Sequence, residues 1–343
     1  MTSPRPQRSF PDNPVLVRFL RGREVESVHR GAWCLVDPAG EVLAGAGDLG
    51  QRYFARSSVK ALQALALLES GAAEHFQLSD EELAVVIASH AGEECHTAVV
   101  SRLLERLGLG VRHLRCGVHA PFDERTRKAL RAAGETATAL HNNCSGKHVG
   151  FLALAKHLGV PSESYLDPDS AGQKLVRAAL AEMSGVSWDE LAPEVDGCSA
   201  PTFRLPLAAL ATAFARLANP SELGPARRAA AERLTRVAGA HPVLIAGSAR
   251  WLDTDLLRAS GGRLFAKYGA EAVQAVGVVG GGRGFALKID DGGLSALQAF
   301  VPAILERLGL LQLNELAALA SWREMRLVNF AGLDVGRIEP VLP

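Results

Sequence analysis

Four stretches of the sequence carry residue types that can do covalent or metal chemistry. The first is Ala55-Arg56-Ser57-Ser58-Val59-Lys60. Ser57 and Lys60 stand three positions apart, so a helical turn puts them on one face. A lysine kept neutral by burial or by a neighbouring cation is a competent base for a serine hydroxyl. The same letters also spell a cap serine followed by a surface lysine. The second stretch, Ala88-Ser89-His90-Ala91-Gly92-Glu93, follows an apolar run and reads as the surfacing end of a helix. Ser89 there is a second hydroxyl, or simply part of a C-cap and loop. His90, Glu93, Cys95 and His96 invite a metal, but their spacing is not that of H-E-x-x-H.

The third stretch, His141-Asn142-Asn143-Cys144-Ser145-Gly146-Lys147-His148, is loop-like and runs into an apolar helix whose start suits an anion. Cys144 with Lys147 or His148 needs a distant ligand to hold a metal. Cys198 in Asp196-Gly197-Cys198-Ser199-Ala200-Pro201 is the candidate. Two thiolates, a neutral nitrogen and an open position suit zinc, although a lysine must lose its proton to coordinate. Two buried thiols beside an anion-friendly helix end would read the same way. In the fourth stretch, Leu264-Phe265-Ala266-Lys267-Tyr268-Gly269-Ala270, Lys267 either snorkels or partners Ser89. His241-Pro242 and the segment 247–254 read as structural loops, with lining of a cleft as the alternative.

These groups need elements to hold them. Period-two runs at 15–20, 25–30, 32–37 and 41–47 predict antiparallel strands, with a hairpin turn at Pro38-Ala39-Gly40. The pattern then becomes helical: 57–70, where Ser57 or Ser58 can cap, then 80–89, 97–108, 124–134, 146–159, 171–185, 205–219 and 224–240. Strands return at 272–279 and 282–290, joined through the glycines of 280–284, and a helix over 295–309 precedes a possible edge strand within 328–340. The simplest α+β solution joins both termini into one antiparallel sheet of about five strands flanked by helices. A helical part (about 61–239) is then inserted into a sheet-containing part (about 15–60 and 240–335) of one domain, 15–335. Residues 1–14 read as a loose arm. A site at the seam between the parts follows. No G-x-G-x-x-G follows a strand in the manner of a dinucleotide fold.

Among 343 residues, 37 Lys and Arg balance 37 Asp and Glu, which gives no basic patch for nucleic acid. Cys34, Cys95, Cys116, Cys144 and Cys198 are an odd, sparse set, not a disulfide framework. No signal core and no run of about 18 apolar residues is present, so a cytoplasmic protein without a membrane span is expected.

The stretches ARSSVK (55–60), ASHAGE (88–93), NNCSGKH (142–148), DGCSAPTFRLPL (196–207) and FAKYGAE (265–271), in this order, resemble the Rhizobium-type L-asparaginases. The resemblance covers roughly 15–335. It implies a fold like that of serine β-lactamases and glutaminases, and a homodimer. It also implies two Ser-Lys pairs, Ser57 with Lys60 and Ser89 with Lys267, and a zinc ion (Zn2+) on Cys144, Lys147 and Cys198. Arg56, His148 and Asp196 become substrate contacts. The implied reaction converts L-asparagine to L-aspartate and ammonia: Asp196 holds the α-ammonium, Arg56 the carboxylate, and a serine attacks the side-chain amide. Sequence does not decide between Ser57 and Ser89, and Ser57, deprotonated by Lys60, is preferred for its local Ser-x-x-Lys geometry. Lysines kept neutral by like charge imply activity that rises toward alkaline pH. The rivals are a glutaminase or penicillin-interacting enzyme, and a non-catalytic zinc or amino-acid-binding module. No K-T-G is present, the nearest text being Lys288-Ile289-Asp290, which argues against β-lactam chemistry.

Overall fold

The computed structural model describes residues 12–343. Near the N-terminus, β1 (Val15–Arg21), β2 (Glu24–Val36) and β3 (Val42–Ala46) follow one another. The C-terminal part supplies β4 (Leu264–Gly269), β5 (Val273–Val278), β6 (Arg283–Ile289), β7 (Arg326–Val328) and β8 (Asp334–Pro340). All join one antiparallel sheet in the order β7-β8-β1-β2-β6-β5-β4, with β3 on β2 beside that path. The two termini are thus sewn together, β1 to β8 and β2 to β6.

The sheet has eight strands rather than about five. The strands beyond that number are β4, read from sequence only as the setting of Lys267, the short edge strand β7, and β8, expected as an edge but lying between β7 and β1. Residues 24–36 are also one strand, not two. Gly31 lies where β2 passes from its pairing with β1 to its pairing with β6, and a Cβ there would meet the Lys288 carbonyl oxygen at 2.2 Å. The glycine permits a close approach within a strand; it does not end one.

Side chains alternate across β2. Ala32, Cys34 and Val36 face the larger core, and Trp33 and Leu35 face the smaller. The larger core is filled by helices that include α1 (Lys60–Glu69), α2 (Asp80–Ile87), α3 (Ser145–His157) and α4 (Leu207–Ala218). The smaller is covered by α5 (Leu252–Ala259) and α6 (Leu294–Arg307). All residues of α1 from Lys60 to Leu68 are buried, as expected of a helix surrounded by protein. A capping box of Ser79 and Glu82 starts α2. The serine cap expected on α1 is not formed. Arg56–Val59 is a 3-10 turn running straight into α1, and the Ser58 hydroxyl donates back to the Ala55 carbonyl at 2.7 Å.

Of the expected loose arm, residues 1–11 lie outside the described residues. Asn13 is buried, and its side-chain amide donates to Asp290 at 3.0 and 3.1 Å while its oxygen accepts the Asp48 N–H at 2.8 Å. All five cysteines are free. Among the described residues no helix is long and apolar enough to cross a membrane.

Candidate active site

Ser89 lies just past α2, where the chain turns extended at Ala88. Its backbone is sewn to the opposite segment: Ser89 N–H donates to Ile245 O at 2.9 Å, and Ala91 N–H to Ala246 O at 2.6 Å. Two lysine amines meet at its hydroxyl. Lys267 Nζ from β4 is 2.9 Å from Ser89 Oγ, and Lys60 Nζ from α1 is 3.2 Å away. Lys60 Nζ also donates to the carbonyls of Ala88 at 2.5 Å and Asn143 at 3.2 Å, and Lys267 Nζ to that of Tyr268 at 2.9 Å. Gly269 lets β4 come this close. A Cβ there would sit 2.7 Å from Ala55 O and 3.0 Å from Ser58 N.

Both lysines are fully buried, and burial is the main cause that lowers their pKa. Lys267 falls to about 8, with Lys60 lowering it further and Asp253 working against the fall. Each amine therefore reaches its neutral, proton-accepting form far more readily than a surface lysine.

The geometry corrects one expected pairing. Lys60 bonds to Ser89, not to Ser57, and Ser57's hydroxyl has no hydrogen-bond partner among the described residues. The reason is local. The turn before α1 is 3-10, and the buried Lys60 amine must find several acceptors. It finds them across the cleft. Ser57 stays nearly buried in the turn, next to Arg56, which holds the left-handed φ of 51° that non-glycine residues rarely adopt.

The thiols form the second part of the site. Asn142 anchors to the carbonyls of Cys116 and Gly117 and accepts the Cys144 N–H at 2.9 Å, which fixes Cys144 at the start of α3. The Cys144 and Cys198 thiols lie near enough to shift each other's pKa, and Lys147 Nζ donates to Cys198 Sγ at 3.1 Å. Cys198, aided by Lys60 and Lys147 against the effect of burial, holds the Cys144 thiol well below its usual range. Cys198 itself is pushed up by Cys144 and by burial. Burial alone would lower Lys147, but Cys198, Cys144 and Asp196 outweigh it and keep this amine charged. Lys60, bonded to Ser89, also interacts electrostatically with Cys144, which links the two clusters.

Asp196 sits in the tight turn before Cys198, closed by Ser199 N–H to Asp196 O at 2.8 Å with Ser199 at φ 68°. Its carboxylate accepts from Arg56 Nε at 2.6 Å. Burial favours its protonated form, but Lys147 and Arg56 prevail and hold it below the ordinary carboxylate value. His148 is buried. Its Nδ1 pairs with the Tyr165 hydroxyl at 2.7 Å, and its Nε2 has no partner. Burial, then Lys147 and Lys60, keep the ring neutral.

Among the expected residues, Lys60 and Lys267 meet at Ser89, Lys147 reaches Cys198 and Arg56 pairs with Asp196, whereas Ser57 and Lys60 are not bonded. In the His90, Glu93, Cys95 and His96 group the side chains have other partners: Glu93 accepts the Ser248 N–H at 2.7 Å and His96 Nε2 pairs with the Val243 carbonyl at 2.9 Å. His90 bonds to Ser145 Oγ and its ring stacks on His96, and no cluster of three or more His, Cys, Asp or Glu among the described residues is placed to hold a metal. Residues given no role from sequence include Asp253 and Tyr165. The segment around Asp253 reads as loop, yet α5 begins at Leu252 and puts Asp253 in its first turn.

No curated relative matches the sequence. Among solved structures, a β-lactamase from Mycobacterium bovis matches with a TM-score of 0.40 at 16% identity, over 81% of this chain and 94% of that one. A likeness at that score carries no inference. The profile of the family described as L-asparaginase II matches residues 17–340, nearly the whole sequence. The chain belongs to the L-asparaginase II family and is of the asparaginase-type amidohydrolase class.

Proposed function

We propose that the protein hydrolyses the side-chain amide of L-asparagine, giving L-aspartate and ammonia, with a serine activated by buried lysine. The observation that carries this is the meeting of two buried amines on Ser89 Oγ at 2.9 and 3.2 Å. A nucleophile within hydrogen-bond reach of a base is the signature of covalent catalysis. Neutral Lys267 takes the Ser89 proton as Oγ attacks the amide carbon. The ammonium so formed returns that proton to the departing nitrogen, and ammonia leaves an aspartyl ester. Water, deprotonated by the same amine, then cleaves the ester. Lys60 Nζ, bonded to the same hydroxyl at 3.2 Å, helps hold Ser89 Oγ in place for the attack.

Asp196 and Arg56 are already a complementary pair of charges. An amino acid's ammonium and carboxylate would replace that pairing, ammonium on Asp196 and carboxylate on Arg56. The unpartnered His148 Nε2 gives a further polar contact for the amino-acid end. A second arrangement has Ser57 attack, with Ser89 relaying its proton. The free Ser57 hydroxyl beside the strained Arg56 favours it.

Zinc belongs to the same proposal. The donor set fits a thiophilic cation, because two neighbouring buried thiols and one amine converge. Cys144, Cys198 and Lys147 would hold the ion, Lys147 only after giving up the proton that it carries without the metal. Bound there, zinc would supply positive charge beside the amino-acid end of the substrate. A reducing, cytoplasmic setting agrees with the five free cysteines, and a homodimer is proposed on the family resemblance alone.

The test is ammonia release from asparagine, glutamine and a β-lactam, with zinc quantified in the same sample. Turnover of asparagine is expected. Glutamine, one methylene longer, should be poorer by about 10–200-fold in kcat/KM. A preference for glutamine would make the protein a glutaminase, and binding without ammonia release would make it a non-catalytic module.

A further inference from the structure

The carboxylate of Asp253 is buried beside the site, yet the chemistry above leaves it without a task. It stands in the first turn of α5 and is only 4% exposed. Both of its oxygens are tied to the sheet. Oδ2 accepts the Tyr268 N–H at 2.8 Å, and Oδ1 accepts from Gln274 Nε2 at 3.0 Å. Tyr268 and Gln274 face each other across β4 and β5, so the carboxylate spans one register pair. Oδ2 also lies 3.6 Å from Lys267 Nζ. A carboxylate is rarely buried unless a charge partner and hydrogen bonds offset its desolvation, and a helix N-terminus adds to that offset.

We propose that Asp253 is a positioning residue, the third member of a Ser89–Lys267–Asp253 relay that aims the Lys267 amine at the serine hydroxyl. The proposal rests on the amidohydrolase function above and holds whichever serine attacks. A neutral amine has two N–H donors and one lone pair. Tyr268 O takes one donor and Asp253 Oδ2 faces the other, so the lone pair is left for the Ser89 hydroxyl. When the amine accepts the proton, the adjacent carboxylate stabilises the new ammonium. This is the logic of a base held by an orienting acid.

The charged groups facing Lys267 come from three elements: Asp253 on α5, Lys60 on α1 and Cys144 at the start of α3. Only Asp253 combines opposite charge with a hydrogen bond to the backbone next to Lys267. Its removal therefore has a signature distinct from simple loss of packing. The ammonium loses its counter-ion, so the rising limb of the kcat/KM profile moves to lower pH, while kcat at the optimum falls because the amine is no longer aimed.

The experiment compares wild type, Asp253→Asn, Asp253→Glu and Lys267→Met in asparagine hydrolysis across pH, with folding checked by circular dichroism and melting. Asp253→Asn should lose about 100-fold or more in kcat, and its limb should move down by about one pH unit. Asp253→Glu keeps the charge and should restore the limb, with kcat between wild type and Asp253→Asn. A folded Asp253→Asn with wild-type kcat and limb overturns the proposal. So does an equal loss at every pH that glutamate does not relieve. Should Asp253→Asn not fold, Asp253→Glu decides: lowered kcat on a wild-type limb supports the relay, and wild-type kcat overturns it. Lys267→Met separates the two levels. Wild-type ammonia release from this variant would sink the lysine base, and the relay with it, while the amidohydrolase function stood; no release from the wild-type protein would sink the amidohydrolase function itself.

Discussion

Lys267 and Lys147 are the same residue type, both buried within one cleft, and they are driven in opposite directions. Lys267 faces a serine hydroxyl, a backbone carbonyl, one carboxylate and another lysine, and burial brings it down to about 8. Lys147 faces a coupled pair of thiols and Asp196, which overcome the same burial and keep its ammonium. Burial sets the size of the penalty, and the neighbours decide its sign. One half of the cleft is thus arranged to move a proton. The other is arranged to hold charge, whether that of a bound cation or of a substrate terminus.

This division can be broken at either half. The largest effect belongs to Ser89→Ala, which should cut kcat by about 10⁴-fold or more while leaving asparagine affinity nearly intact. Comparable losses in kcat and in binding would mean that the halves are not separate. Cys198→Ala should release zinc and raise KM by about 10–100-fold, the scale of metal-site disruption. Its effect on kcat should be smaller, and metal content with KM for asparagine checks both. Zinc-free wild-type protein would remove the metal from the account while leaving the lysines. Arg56→Met breaks the 2.6 Å pair with Asp196 and should raise KM by about tenfold with little change in kcat. The gentlest probe is pH. The base works as the neutral amine, so kcat/KM should climb about tenfold per pH unit up to about 8, where Lys267 gives up its proton, and then level off. An acid optimum would contradict a lysine base.

Local pattern carried much of this into view. Alternation at both ends marks strands of one sheet, and the five short motifs supply the side chains around the cleft. What stayed hidden depends on contacts that spacing does not encode. Ser57 and Lys60 share a turn by number, but a lysine has a long stem, and its acceptor proves to be Ser89, 29 positions on. Gly31 looks like a break in the chain, and only the neighbouring Lys288 carbonyl shows why a glycine belongs within the strand. Asp253 follows a Gly-Ser-Ala stretch that reads as loop. The short helix that aims it at Lys267 is held by packing against β4 and the smaller core, not by a strong periodic signal.

The most direct test of a lysine-activated Ser89 is to find the ester. Asparagine turnover quenched in acid during the steady state, then digested with trypsin and read by mass spectrometry, locates the acyl group, since Ser57 and Ser89 fall in different peptides. An aspartyl ester on Ser89 is the predicted result. An ester on Ser57 would contradict the account and make Ser89 the relay instead.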